Sequence, residues 1–214
     1  MKRLITLFVI TAAIACVSYA QDEPEPERNN EFSIGVGGIF PGETDPLNLP
    51  GEKGMPASFV VNIGYRRYLS ERLAIGLRGF GTTNRLSGYV TAPASDPSNF
   101  HSTEFDLATF TFAFEGLLLL SPPGPVSPYV TAIVGLATGV LTNDDYGSLE
   151  YHGAVGGAGV GLRFEVSPVV AVNLEGLASF GGAQWRNRPS SSSSGAQYNP
   201  SAFLVLATLT IRTH

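Results

Sequence analysis

Gly157-Ala-Gly-Val-Gly-Leu-Arg-Phe-Glu-Val-Ser-Pro168 puts a glycine at every second position and then an arginine and a glutamate on the same spacing. Glycines this dense first suggest a phosphate-cradling loop. Such a loop needs G-x-G-x-x-G between a strand and a helix. Here the third glycine comes one residue early, and Val160, Leu162 and Phe164 carry an apolar period of two straight through. Successive side chains of a strand point to opposite faces, so Gly157, Gly159 and Gly161 share a face with Arg163 and Glu165. Glycine weakens an ordinary strand. It is useful on the inner face of a narrow closed barrel, where it makes room for long side chains from neighbouring strands.

Seven more segments repeat this alternation, and helical periodicity is hard to find. Phe32, Ile34, Val36, Gly38 and Phe40 alternate with Ser33, Gly35 and Gly37. Phe59, Val61, Ile63 and Tyr65 alternate with Asn62, Gly64 and Arg66. Leu73, Ile75 and Leu77 alternate with Ala74, Gly76 and Arg78. Phe110, Phe112, Phe114 and Leu118 alternate with Thr109, Thr111, Ala113 and Glu115. Val130, Ala132, Val134 and Leu136 alternate with Tyr129, Thr131 and Gly135. Val170, Val172, Leu174, Ala178 and Phe180 alternate with Asn173, Glu175 and Ser179. Phe203, Val205, Ala207, Leu209 and Ile211 alternate with Thr208, Thr210 and Arg212. Each segment has one face free of charge. The connections alternate too: short at Leu69–Arg72, Ser121–Pro128 and Ser167-Pro168, longer at about 41–56, 84–102, 142–150 and 181–200. This is the rhythm of antiparallel hairpins with tight turns at one end of a membrane barrel and loops at the other.

The two ends of the chain and its composition fit export to a membrane. Residues 1–20 begin with Lys2 and Arg3, continue with an apolar run from Leu4 to Val17, and finish Ser18-Tyr19-Ala20, the pattern of a signal peptide. That run is shorter than the ~20 residues of a spanning helix. An acidic, Pro-rich segment follows over 21–30, and the barrel is expected over 31–214. Cys16 is the sole cysteine and lies within the signal, so the mature chain is expected to have neither a disulfide nor a cysteine metal site. Ala13-Ile14-Ala15-Cys16 loosely matches a lipoprotein cleavage box but lacks its usual leucine. Loss of Lys2 and Arg3 takes the formal net charge from −5 to −7, which argues against nucleic acid. Charged residues are 14% of the chain, against about 25% in an average soluble protein.

These observations give an all-β fold, an eight-stranded antiparallel up-and-down transmembrane barrel. Parity places Arg66, Arg78, Glu115, Arg163, Glu165, Glu175 and Arg212 in the lumen as a polar network. It places Phe110, Phe112, Phe114, Leu162, Phe164, Val172 and Leu174 against lipid. The reverse assignment would set arginines in hydrocarbon at about 2–4 kcal/mol each near the midplane. Eight strands leave an interior filled by side chains, whereas water-filled channels take about sixteen. Tyr68, Tyr129 and Tyr151, near strand ends, are expected in interfacial aromatic belts.

The phrases Gly64-Tyr-Arg-Arg-Tyr-Leu-Ser-Glu-Arg-Leu-Ala-Ile75, Ser127-Pro-Tyr-Val-Thr-Ala132 and Gly157–Pro168 resemble the small eight-stranded outer-membrane β-barrel proteins, of OmpX-like and OmpA-transmembrane-like type. The resemblance covers nearly all of the mature chain. It implies an outer-membrane location among lipids and lipopolysaccharide, folding by the barrel-assembly machinery, a monomer, no cofactor, and a structural or surface-interaction role exerted through the loops. No further domain is expected after the barrel. Family members commonly finish on phenylalanine; this chain finishes Ile211-Arg-Thr-His214, with Ile211 in a shifted frame.

Other functions fit a similar architecture. Some eight-stranded barrels modify lipid A, and His101, Ser102, Glu104, Glu150 and His152 are the residues available for such chemistry here. Adjacent His101 and Ser102 point to opposite faces of a strand, and the His-x-Ser spacing of the deacylases is absent, so no catalytic residue is assigned. Asn143–Glu150 lacks the spacing of a calcium loop, and no metal site is assigned. Trp185, with Arg186 and Arg188, suits an interface or lipopolysaccharide phosphates, beside the low-complexity run Ser190–Ser194. A narrow pore through the lumen and a soluble lipocalin-like barrel remain as further alternatives. The lipocalin would bring Phe110, Phe112 and Phe114 inside and its charges outside, yet Lys53 is the only lysine after the signal.

Overall fold

Eight antiparallel strands close into a barrel in a computed structural model that describes residues 30–42, 56–91, 100–143, 147–186, 197–198 and 201–213. They are β1 (Asn30–Pro41), β2 (Ser58–Tyr68), β3 (Leu73–Thr91), β4 (Phe100–Leu119), β5 (Val126–Asn143), β6 (Gly147–Ser167), β7 (Val170–Arg186) and β8 (Ala202–Thr213). Each pairs with its neighbours in sequence, and β8 returns to β1 from Asn30↔Thr213 to Pro41↔Ala202. A two-residue rung, Gln197–Tyr198, extends the β7 edge. Closure removes the two edges that an open eight-stranded sheet would expose, and the far ends of β3, beyond Thr82, and of β4, before Asp106, extend past their second neighbours among the described residues. Residues 1–20, read from sequence as an export signal, and nearly all of the acidic segment lie outside the described residues.

The alternation becomes an inside and an outside. Phe114, Val134 and Val160 remain 65%, 64% and 65% exposed, while Arg66, Arg78 and Arg163 are 1%, 1% and 2% exposed. On β1 the outward stripe runs from Phe32 to Phe40, and on β8 from Phe203 to Ile211. Eight residue steps span about 26 Å of strand. A tilt of ~35–45° leaves ~20 Å of height, close to the ~25 Å apolar band of a membrane barrel. Among the described residues, charge returns to the outer face at its margins, with Arg67 at one end and the Arg85–Asp106 pair, at 3.1 Å, at the other. At the first margin Tyr65 lies against Phe32, ring centroids 5.1 Å apart, and its hydroxyl donates to Asn30 Oδ1 at 2.8 Å.

The three tight turns share a device. In 69–72, Ser70 Oγ accepts the Leu73 amide at 3.1 Å; in 168–169, Ser167 Oγ accepts the Val170 amide at 3.1 Å. Ser127 Oγ accepts the Gly124 amide at 3.2 Å after β4. A serine hydroxyl thereby satisfies an amide that the ladder has released.

The strict alternation of short and long connections does not hold. β3 and β4 stay paired as far as Thr91↔Phe100, and β5 and β6 leave only 144–146 between them. The stretch Asn143–Glu150, expected as a polar loop, is largely ladder: Thr142 pairs with Ser148 and Asn143 with Gly147. Beyond the apolar band a strand no longer needs an apolar stripe, so its periodicity fades while its backbone hydrogen bonds continue.

Candidate functional site

The inward faces bring eight ionic side chains together in the half of the barrel nearest the tight turns. Arg66, on β2, forks onto Glu115 of β4, with Nε to Oε2 at 2.7 Å and Nη2 to Oε1 at 3.1 Å. Arg78 Nη1, from β3, bridges Glu115 Oε1 at 2.9 Å and Glu175 Oε1 at 2.7 Å. Tyr129 donates to Glu175 Oε2 at 2.9 Å, and Thr131 to Glu115 Oε1 at 3.1 Å. A second cluster centres on Arg163 of β6. It forks onto Glu31 at 2.6 and 3.0 Å, reaches Glu165 through Nε at 2.6 Å, and donates to the Tyr68 hydroxyl at 3.1 Å. Arg212 Nη2 lies 3.4 Å from Glu31 and 3.3 Å from Glu165. All eight strands contribute a side chain to one cluster or the other.

Four arginines face four glutamates. All seven residues assigned to the lumen from sequence point inward and pair with one another, although Glu165 and Arg212 keep partial exposure, 21% and 24% at the side chain. The sequence reading misses Glu31, which is 0% exposed and completes the charge balance. Its signal was its parity with Ser33 and Gly35, hidden because Glu31 adjoins an acidic, proline-rich run. Burial at this depth makes pairing obligatory: a guanidinium left alone in a dry interior would be prohibitively costly.

Tyr68, Tyr129 and Tyr151 do not sit in outer belts. They are 6%, 1% and 1% exposed and face inward. Tyr129 stands opposite Gly161 and Tyr151 opposite Gly139. A Cβ at Gly161 would lie 2.4 Å from the Tyr129 ring, and one at Gly139 would lie 2.1 Å from the Tyr151 ring. Gly161 and Gly139 therefore make room for tyrosines arriving from the next strand, whereas Gly157 and Gly159 face Ile133 and Thr131. Gly139→Ala is expected to destabilise the barrel by about 1–3 kcal/mol through overpacking. Pairing it with Tyr151→Ala should cost less than the two separate losses combined, measured by urea unfolding of the four proteins of that cycle.

Nor is the interior polar throughout. Beyond the ionic layer Val60, Phe80, Ala113, Ile133, Leu177, Leu204 and Leu206 pack into a buried apolar layer across the lumen. Arg78 joins the two, its guanidinium carbon 4.9 Å from the Phe80 ring centre. On the outer face Phe110, Phe112, Phe114, Leu162 and Leu174 are exposed, while Phe164 and Val172 are half-buried among their neighbours.

Of the five residues weighed for chemistry, three have described side chains. His152, Glu104 and Glu150 are exposed near the far end of the barrel. His101 and Ser102 belong to β4, but their side chains lie outside the described residues, as do those of Trp185 and Arg186; Arg188 and Ser190–Ser194 fall there entirely. Among the described residues no group of three His, Cys, Asp or Glu side chains could hold a metal ion.

No protein-family profile matches the chain, and no curated protein matches it by sequence. Solved structures do match it. The outer-membrane protein OprG from Pseudomonas aeruginosa aligns with a TM-score of 0.57 at 8% identity, over 90% of this chain and 98% of that one. Neisserial surface protein A, NspA, aligns with a TM-score of 0.54 at 13% identity, over 88% of this chain and 99% of that one. The outer-membrane protein AlkL, solved by solid-state NMR in DMPC bilayers, gives 0.50 at 12% identity over 90% and 93%. The architecture common to all of them is the small eight-stranded outer-membrane β-barrel.

Proposed function

We propose that this barrel is an integral outer-membrane protein, its lumen closed by stacked ionic and apolar layers, which works through the end that carries the long connections. The observation that carries the reading is the continuous outward apolar face. Phe59, Phe112, Phe114, Val134, Leu136 and Val160 belong to one belt around the whole barrel. Monomeric soluble proteins rarely expose an apolar patch beyond about 300–600 Å². Lipid is the partner such a belt fits, and a closed barrel is one of the two folds that satisfy every backbone group inside a bilayer. The layers across the lumen support a structural or surface role over conduction, and β3 to β6, which continue past the apolar band, extend into a region suited to contacts at the cell surface. No catalytic residue is needed for such a role. Lipopolysaccharide around the belt, a monomeric state and delivery by the barrel-assembly machinery belong to the same reading.

The test combines fractionation with conductance. The protein should co-sediment with outer membranes and migrate differently on a denaturing gel before and after boiling. Reconstituted in a planar bilayer it should be electrically silent. Recovery in the soluble periplasm would overturn the membrane assignment, and regular conductance steps would overturn the closed lumen.

A further inference from the structure

Above the apolar layer the interior is incompletely filled. A partly open cavity of about 60 Å³ remains there, floored by Phe80, Ile133, Leu177 and Leu204. Its walls rise along β3 through Thr82 to Asn84, toward the end with the long connections. Most polar groups on these walls are committed. Thr109 Oγ1 and the Tyr151 hydroxyl share a hydrogen bond of 2.7 Å, Thr82 Oγ1 donates to the Phe59 carbonyl at 3.0 Å, and Ser179 Oγ donates to the Ala202 carbonyl at 3.2 Å. Asn84 differs. It is 8% exposed, lines the cavity, and its Oδ1 has no hydrogen-bond partner among the described residues.

A buried acceptor without a donor carries its full desolvation penalty until something donates to it. Water meets only part of this need: it suits the Asn84 end, but a buried water wants two to four polar partners, and the floor of Phe80, Ile133, Leu177 and Leu204 offers none. We propose that the cavity binds a short aliphatic molecule bearing one hydrogen-bond donor, a primary alcohol or amine. The carbon chain lies on Phe80, Ile133, Leu177 and Leu204, and the donor bonds Asn84 Oδ1. The volume sets the class: it suits a few carbon atoms, well short of the ~300–1,000 Å³ of a site for drug-sized ligands. The site depends on the barrel interior alone; only the direction in which its mouth opens rests on the membrane reading.

The experiment is a methyl-NMR titration of the protein in lipid nanodiscs with 1-butanol and with 1-fluorobutane, which has the same chain but no donor. Expected are saturable shifts at the methyls of Ile133, Leu177 and Leu204, while outward Val134, Leu136 and Leu162 drift linearly as the probe partitions into lipid. Asn84→Leu should weaken butanol by about 3–10-fold and leave fluorobutane unweakened. Ala137→Phe, which adds a ring to the cavity wall, should abolish the saturable response to both. The proposal is overturned if interior methyls drift linearly like the outward ones, or if Asn84→Leu weakens both probes alike.

Discussion

Replacing Glu115 with alanine is expected to lower the stability of the lipid-embedded barrel by about 3–5 kcal/mol, the usual cost of removing one partner from a buried ion pair. Glu115 accepts two bonds from Arg66, one from Arg78 and one from Thr131. After its loss Arg78 keeps Glu175, but Arg66 keeps no carboxylate within the structure's ion pairs and its side chain is only 2% exposed. The penalty is thus an abandoned guanidinium more than a lost attraction. Two controls separate these contributions. Glu165→Ala, at a partly exposed position beside Arg212, should cost far less, since solvent screens what it leaves behind. Glu115→Leu combined with Arg66→Met should recover much of the stability, because apolar replacement of a buried pair is often neutral or stabilising. Urea titrations in phospholipid vesicles, with the folded fraction read on unboiled gels, give the comparison. Equal losses for Glu115→Ala and Glu165→Ala would defeat the account of the ionic layer.

Val134→Arg should cost about 2–4 kcal/mol, as expected for a charge on the lipid face near mid-bilayer. Val134 is 64% exposed in the middle of the β5 outward stripe, between Ala132 and Leu136. Thr142→Arg, on the same face beyond the band where Asp106 and Thr142 pair, should cost only ~0–1 kcal/mol. A water-facing barrel removes the difference: Val134→Arg would be nearly neutral, like Thr142→Arg, and would improve solubility. The difference between these two substitutions therefore tests which solvent surrounds the barrel, without reference to the loops.

The strand order and the two faces were readable because a membrane barrel imposes opposite chemistries at a period of two, as Phe110–Phe114 against Thr109–Glu115 displays. Parity likewise exposed the inward arginines. It carries less where both faces are apolar: in Phe203-Leu-Val-Leu-Ala207 the positions between the outward residues are as apolar as the stripe itself, so inward Leu204 and Leu206, and with them the apolar layer, escape notice. The tyrosines were misplaced for a different reason. An amphipathic ring suits an interface or a polar lumen equally well, so residue type alone does not decide between them; in the structure Tyr129 stands against Gly161. The parity of Tyr129 with Thr131, and of Tyr68 with Arg66, already carried that information. The candidate cavity was invisible for a related reason, since an unfilled volume depends on which side chains meet across the barrel.

Glu31 is carried by the first strand, yet its partners Arg163 and Arg212 arrive on the sixth and the last. Until the first strand docks beside the eighth, those two cations share a single carboxylate, Glu165. Ring closure and pairing are then one event, and an open, half-assembled sheet keeps Glu31 apart from its two arginines, leaving separated charges that disfavour its entry into hydrocarbon. The same residue that balances the finished interior would discriminate against the unfinished one.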